Sequence, residues 1–158
     1  MDFALAPAGE ASRPGLHTEL LCSDSFHVVC PQAHPLARLR EVKPAQLAGH
    51  PFIHLARSTS IRQHLERALH PAPLAGMLEV EQLATVAALV AQGLGISVIP
   101  ALALFQFHQP GIVVRPLRLP GLRRNIHIIR QEGRSLSLAA AALLQMVRVA
   151  LAPRARRT

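Results

Sequence analysis

Arg57, Ser58, Thr59 and Ser60 put a guanidinium and three hydroxyls into four consecutive residues. An apolar run at 51–55 precedes them and a helical pattern follows, so the backbone N–H groups of a helix start join the cluster. An anionic group would be held there by charge-assisted hydrogen bonds and by the helix dipole. The plainer alternative is that Ser60 only caps its helix and Arg57 is solvated. Glu81 and Gln82 precede a second helical pattern in the same way. A carboxylate at that position complements the dipole without a ligand; turned towards one, Glu81 would favour a molecule carrying a donor or positive group.

No arrangement for catalysis stands out. Asp2 and Asp24 are the only aspartates, and neither forms a histidine–carboxylate pair in the sequence. Glu79 and Glu81 face one side of a strand, without the aromatic platforms a glycosidase uses. His50 and His54 would suit a metal at helical spacing, but Pro51 opposes a helix there and no third ligand is placed beside them. Gly93 and Gly95 end a helix and enter a strand, the reverse of the dinucleotide fingerprint. No catalytic residue, metal or cofactor is therefore assigned.

The elements that must position these residues are legible as short apolar runs and periodic segments. Strands are expected over 2–6, 26–30, 51–55, 77–80, 96–99, 112–115 and 125–130. A helix over 82–92 sets Leu83, Val86, Ala87 and Val90 on one face, and Gly93 supplies its left-handed cap. Another over 60–69 opens with Ser60 and Gln63 as a capping box. The last, over 135–151, carries Leu136, Ala139, Ala140, Leu143, Leu144, Val147 and Leu151 on one stripe before Pro153 ends it. Strand, helix and strand across 77–99 form a crossover unit that predicts a parallel sheet and an α/β class. In open sheets of this kind ligands lie beyond the carboxyl ends of the strands.

Half of the 158 residues are hydrophobic and 16% are charged, which is the composition of a packed core. No apolar run reaches the roughly 18–20 residues of a membrane span, and Asp2 stands where a secretory signal needs positive charge. Membrane association and export are not indicated. Cys22 and Cys30 are expected as reduced, small hydrophobes. The formal charge of +8 is spread over a tail (Arg154, Arg156, Arg157) and strand-like segments, and there is no Trp or Tyr, so direct nucleic-acid binding is poorly supplied.

Several phrases fall in one order: Met1-Asp2-Phe3-Ala4-Leu5, Asp24-Ser25-Phe26-His27-Val28-Val29-Cys30-Pro31, His34-Pro35-Leu36-Ala37, and Leu47-Ala48-Gly49-His50-Pro51-Phe52-Ile53. Glu79-Val80-Glu81 and then Val90-Ala91-Gln92-Gly93-Leu94-Gly95-Ile96-Ser97-Val98-Ile99-Pro100 follow. Over nearly its whole length the chain resembles the effector-binding region of LysR-type transcriptional regulators. The resemblance implies a type 2 periplasmic-binding-protein-like α/β fold, with two lobes and a small organic metabolite in the cleft between them. Lobe one would comprise 1–32 and 127–158 and lobe two 33–126, with crossings at Cys30 and Pro31 and at His127 and Ile128. Arg57, Ser58, Thr59, Ser60, Glu81 and Gln82 would contact the effector.

The same resemblance implies a cytoplasmic homo-oligomer that meets DNA only through a winged helix-turn-helix, which this sequence lacks. The first strand and helix of lobe one are missing with it, so the first lobe is expected to be incomplete. An enzyme or solute-binding receptor on the same bilobal fold, or a non-functional regulator fragment, are the alternative readings.

Overall fold

In the computed structural model residues 2–7, 14–70, 74 and 76–151 are described. Met1, Pro153 and the arginines of the tail lie outside them. The chain divides into two compact units, one of residues 1–24 with 124–158 and one of residues 25–123. Seven strands and three α-helices are described: β1 (Ala4–Pro7), β2 (Leu16–Pro31), β3 (Phe52–Leu55), α1 (Ser60–Leu69), β4 (Gly76–Val80), α2 (Leu83–Ala91), β5 (Ser97–Pro100), β6 (Ile112–Pro116), β7 (Arg123–Gln131) and α3 (Leu138–Leu151).

In the larger unit, β3 pairs in parallel with β4, and β2 pairs antiparallel with β5 on one side and with β6 on the other. A parallel bridge between Phe52 and Ile96 joins the two sets, giving the order β4-β3-β5-β2-β6. The expected crossover from β4 through α2 to β5 is therefore present, but β3 lies between its two strands. The sheet is mixed rather than wholly parallel, because β2 and β5 run in opposite directions.

Side-chain alternation splits this unit into two cores. Phe26, Val28, Cys30, Phe52, Ile96 and Val98 pack on the face covered by Leu65 of α1. Val29, Ile53, Leu55 and Ile99 pack on the other, against Val86, Ala87 and Val90 of α2. Strands buried on both faces read as continuous apolar runs, which is why they were visible in the sequence. Gly93, at φ +80°, closes α2 as expected, with its N–H donating to Val90 O at 3.0 Å.

The start of α1 differs from expectation. Thr59, not Ser60, is its N-cap: the Thr59 backbone is extended, and its Oγ1 accepts from the Arg62 N–H at 3.2 Å. Ser60 is already helical, and Gln63 Nε2 reaches Arg57 O at 3.4 Å instead of closing a box.

In the smaller unit β7 lies between β1 and β2, and β1 pairs with it antiparallel, Ala4 opposite Ile129. α3 begins three residues later than its pattern suggests, because Ser137 Oγ caps it by accepting from the Ala140 N–H at 3.2 Å. Only Ala140 and Leu144 of the expected stripe are buried, and Leu143 is 53% exposed. Arg124 donates to Asp24 at 3.0 Å, where the aspartate side chain is fully buried and the arginine nearly so. Arg148 and Glu19 make a shorter contact, 2.6 Å, with both side chains about two-fifths exposed.

The smaller unit thus ends at Asp24 and resumes at Arg124. Cys30 and Pro31 pair with β6 inside the larger unit, and His127 and Ile128 pair with β1 inside the smaller. The chain crosses between units several residues before each position expected from the sequence.

Burial decides which of these contacts matters for stability. Asp24→Ala leaves a desolvated guanidinium and is expected to cost about 3 kcal/mol or more. Glu19→Ala is expected to cost about 1 kcal/mol or less, since water screens that pair. Urea unfolding of the two variants checks the ordering.

Candidate functional site

β3 and β4 end at the same level, with Leu55 opposite Val80 in register. The Ala56 N–H extends the ladder by one rung to Val80 O at 3.0 Å. The turn carrying Arg57, Ser58, Thr59 and Ser60 and the turn carrying Glu81 and Gln82 therefore stand side by side at the carboxyl ends of a parallel pair. Each opens a helix, so two sets of first-turn N–H groups belong to this edge.

Within the first turn, Arg57 and Ser58 are exposed, while Thr59 and Ser60 are half-buried. Thr59 is committed to the backbone: besides capping Arg62 it donates from Oγ1 to Ala56 O at 2.8 Å. Of the three hydroxyls, that of Thr59 serves the turn itself. Glu81 and Gln82 are exposed, and Gln82 is the N-cap of α2 without a side-chain cap bond. The helix start is thus open at its side-chain position. His34 is engaged within its own turn: its Nδ1 accepts from the Leu36 N–H at 3.2 Å.

A second cluster was missed in the sequence. A pocket of about 400 Å³ is lined by His54, Arg57, Arg62, Glu66, Leu74 and residues 76–79. His54 shares the strand face of Phe52, so it points to the α1 side of β3, where Arg62 and Glu66 descend from α1. Arg62 is only 8% exposed; its Nε donates to Glu66 at 2.6 Å, and its Nη1 is buried without a partner. His54 is 5% exposed, with Nε2 at 3.4 Å from Leu74 O and a buried, unpartnered Nδ1. An Arg–Glu pair at i,i+4 reads in a sequence as a solvated helix face, which hid Arg62. The period-2 rule, applied from Phe52, was the available signal for His54.

The titration of these groups follows their surroundings. Burial, and then the Arg62 guanidinium, hold His54 below the ordinary imidazole range. Burial, with His50 adding to it, lowers His34 in the same direction. The hydrogen bond from Arg62 lowers Glu66. Among the described residues no three His, Cys, Asp or Glu side chains group as a metal site, and no helix is long and apolar enough to cross a membrane. Cys22 and Cys30 are unpaired thiols, and burial raises both.

Compared with known proteins, residues 1–152 match the LysR substrate binding domain. The chain belongs to the LysR substrate-binding domain family. It is 36% identical over 122 residues to the HTH-type transcriptional regulator YbhD of Escherichia coli (strain K12), covering 76% of this chain and 38% of that protein. The chain thus spans well under half the length of that relative. Among solved structures, the reduced regulatory domain of OxyR from Pseudomonas aeruginosa superposes with a TM-score of 0.79 at 25% identity, over 94% of this chain and 73% of that one. The effector-binding domain of BenM with benzoate gives 0.79 at 21% identity, over 95% and 69%. The fold of this LysR substrate-binding domain is accordingly the type 2 periplasmic-binding-protein-like α/β fold. It is a ligand-sensing regulatory domain, and the relatives it matches are transcriptional regulators rather than enzymes.

The depressed histidines carry a pH prediction. Their folded values lie below the unfolded ones, so between the two the unfolded chain binds more protons and acidification favours unfolding. Stability is expected to be fully present above the ordinary imidazole range and to fall as the pH drops from about 7 to 5. His54→Gln should flatten that decline, as read by urea midpoints across the range.

Proposed function

We propose that this LysR substrate-binding domain senses a small organic metabolite at the paired turns of Arg57, Ser58, Thr59, Ser60, Glu81 and Gln82. Within a longer cytoplasmic, homo-oligomeric regulator, that metabolite would modulate DNA binding and transcription through a helix-turn-helix outside this chain. The observation that carries the reading is the register of Leu55 with Val80, which sets both turns on one edge. The family match and the benzoate bound to the structurally similar BenM domain support it.

The chemistry of the edge selects the ligand. Arg57 and two helix starts favour an anionic group, and Glu81 favours a donor or positive group elsewhere on the same molecule. A simple acid would meet Glu81 unfavourably. We place the hinge at the crossings at 24–25 and 123–124, in preference to Cys30, Pro31, His127 and Ile128. A metabolite acts through such a hinge only as far as its affinity differs between the two states.

The test is a thermal-shift screen of organic acids that also carry an amine or hydroxyl, followed by calorimetry. A saturable rise in Tm is expected for some of them. Arg57→Ala and Glu81→Ala should each weaken binding about tenfold or more, the loss of one charge-assisted contact. Binding that neither substitution affects would move the effector elsewhere.

A further inference from the structure

The pocket beneath α1 holds a charge that the protein leaves half answered. Arg62 enters from the third position of α1, Glu66 takes its Nε, and Nη1 remains buried without an acceptor. Arg115 and Arg148 also leave a buried Nε without an acceptor, and Arg62 differs from them in that its guanidinium lines a pocket where an acceptor from outside the chain could sit. His54 beside it is pinned. A Cβ on Gly76 would stand 2.5 Å from His54 Cδ2 and 2.9 Å from Nε2, so only a glycine in β4 lets the imidazole reach Leu74 O. With Nε2–H donating there, Nδ1 is an acceptor when neutral and a donor when protonated.

The rest of the lining is apolar or solvated. Met77 and Leu78 are 49% and 38% exposed, which is high for large hydrophobes. Glu66 and Glu79 are exposed at the mouth, as is Arg57, so water screens all three, while the Arg62 charge is screened least. A volume of about 400 Å³ is within the range of small-molecule sites.

We propose that this pocket, which shares Arg57 with the paired turns of the preceding section but otherwise has its own lining, is a binding site for a small organic carboxylate. The carboxylate accepts from the Arg62 guanidinium where it lines the pocket and faces His54, and the apolar body lies against Leu74, Met77 and Leu78. A negative charge there favours the imidazolium over the neutral ring, so binding takes up a proton from solvent at Nδ1. The charged groups around that ring are Arg62 and Glu66 of α1, Glu79 of β4 and Arg57 of the turn.

The chain has three methionines, Met1, Met77 and Met146, so methyl-labelled methionine gives a sparse NMR spectrum in which Met77 reports the pocket and Met146 of α3 serves as control. Titrated with sodium butyrate at constant ionic strength, Met77 is expected to move saturably with a dissociation constant on the order of millimolar, and Met146 not to move. Butyramide, of the same shape without the charge, should leave Met77 in place. Butyrate should also raise the pH at which His54 titrates. Arg62→Gln is expected to weaken butyrate about tenfold or more. Gly76→Ala, which keeps the arginine and displaces the imidazole, should weaken it too, and it decides the matter if Arg62→Gln fails to fold. An unmoved Met77, an equal response to butyramide, or unchanged affinity in Gly76→Ala would overturn the site. A response to sodium sulfate matching that to butyrate would overturn its organic half.

Discussion

Four residues of β3 are held on both edges at once. Ile53 N–H donates to Ile96 O and Ile96 N–H to Pro51 O, each at 2.9 Å, and the buried Ser97 Oγ donates to Ile53 O at 2.7 Å. On the opposite edge β4 pairs in register through Leu55 and Val80. A strand fixed in this way cannot slip by one residue without exchanging its two faces. Phe52 and His54 would then meet α2, and Ile53 and Leu55 would meet α1. Gly95 belongs to the same constraint: a Cβ there would lie 2.7 Å from Pro51 O, which the Ile96 N–H requires as its acceptor. Both turns and the pocket beneath α1 inherit their positions from this one strand.

What the sequence disclosed follows from how local each determinant is. β3, β5 and α2 carry their signal within themselves, as apolar runs buried on one or both faces and as the Gly93 cap. The first part of β2 was not visible, because His17, Thr18, Glu19 and Ser23 interrupt any apolar run; its partner β7 lies more than a hundred residues away. The insertion of β3 between β4 and β5 is likewise non-local, since a crossover pattern gives direction but not adjacency. Adjacent hydroxyls at Thr59 and Ser60 are chemically equivalent as caps, so backbone geometry alone chooses between them. Six candidate site residues were brought onto one edge, yet Arg62, the most buried charge nearby, was hidden by its helical pairing with Glu66.

The two ion pairs among the described residues of the smaller unit divide the work of holding it. Arg148 with Glu19 fastens α3 where only Ala140 and Leu144 of that helix are buried, so it acts at a surface where water competes. Arg124 with Asp24 is desolvated and joins the last residue of the unit on β2 to the first on β7. Such a pair adds little net stability over an apolar equivalent, but separating its members strands a charge. The two crossings are thereby tied at one level within the unit.

Arg57 lines both candidate sites, and the buried Arg62 connects them as well. Its backbone N–H donates to Thr59 Oγ1 and so closes the turn that bears Arg57 and Ser58, while its side chain carries the pocket. A ligand that drew on the Arg62 guanidinium would bear on the first turn of α1, whose N–H groups belong to the edge of the paired turns. Two ligands that share one ordered element are linked, and the linkage is reciprocal: whatever factor the first applies to the second's affinity, the second returns. Its sign is set by charge and order. Two anions either side of Arg62 compete for one guanidinium field, whereas the ordering of α1, once borne by the first ligand, is no longer a cost to the second. With Arg62 nearly buried its field is little screened by water, which favours antagonism between the pocket and the paired turns.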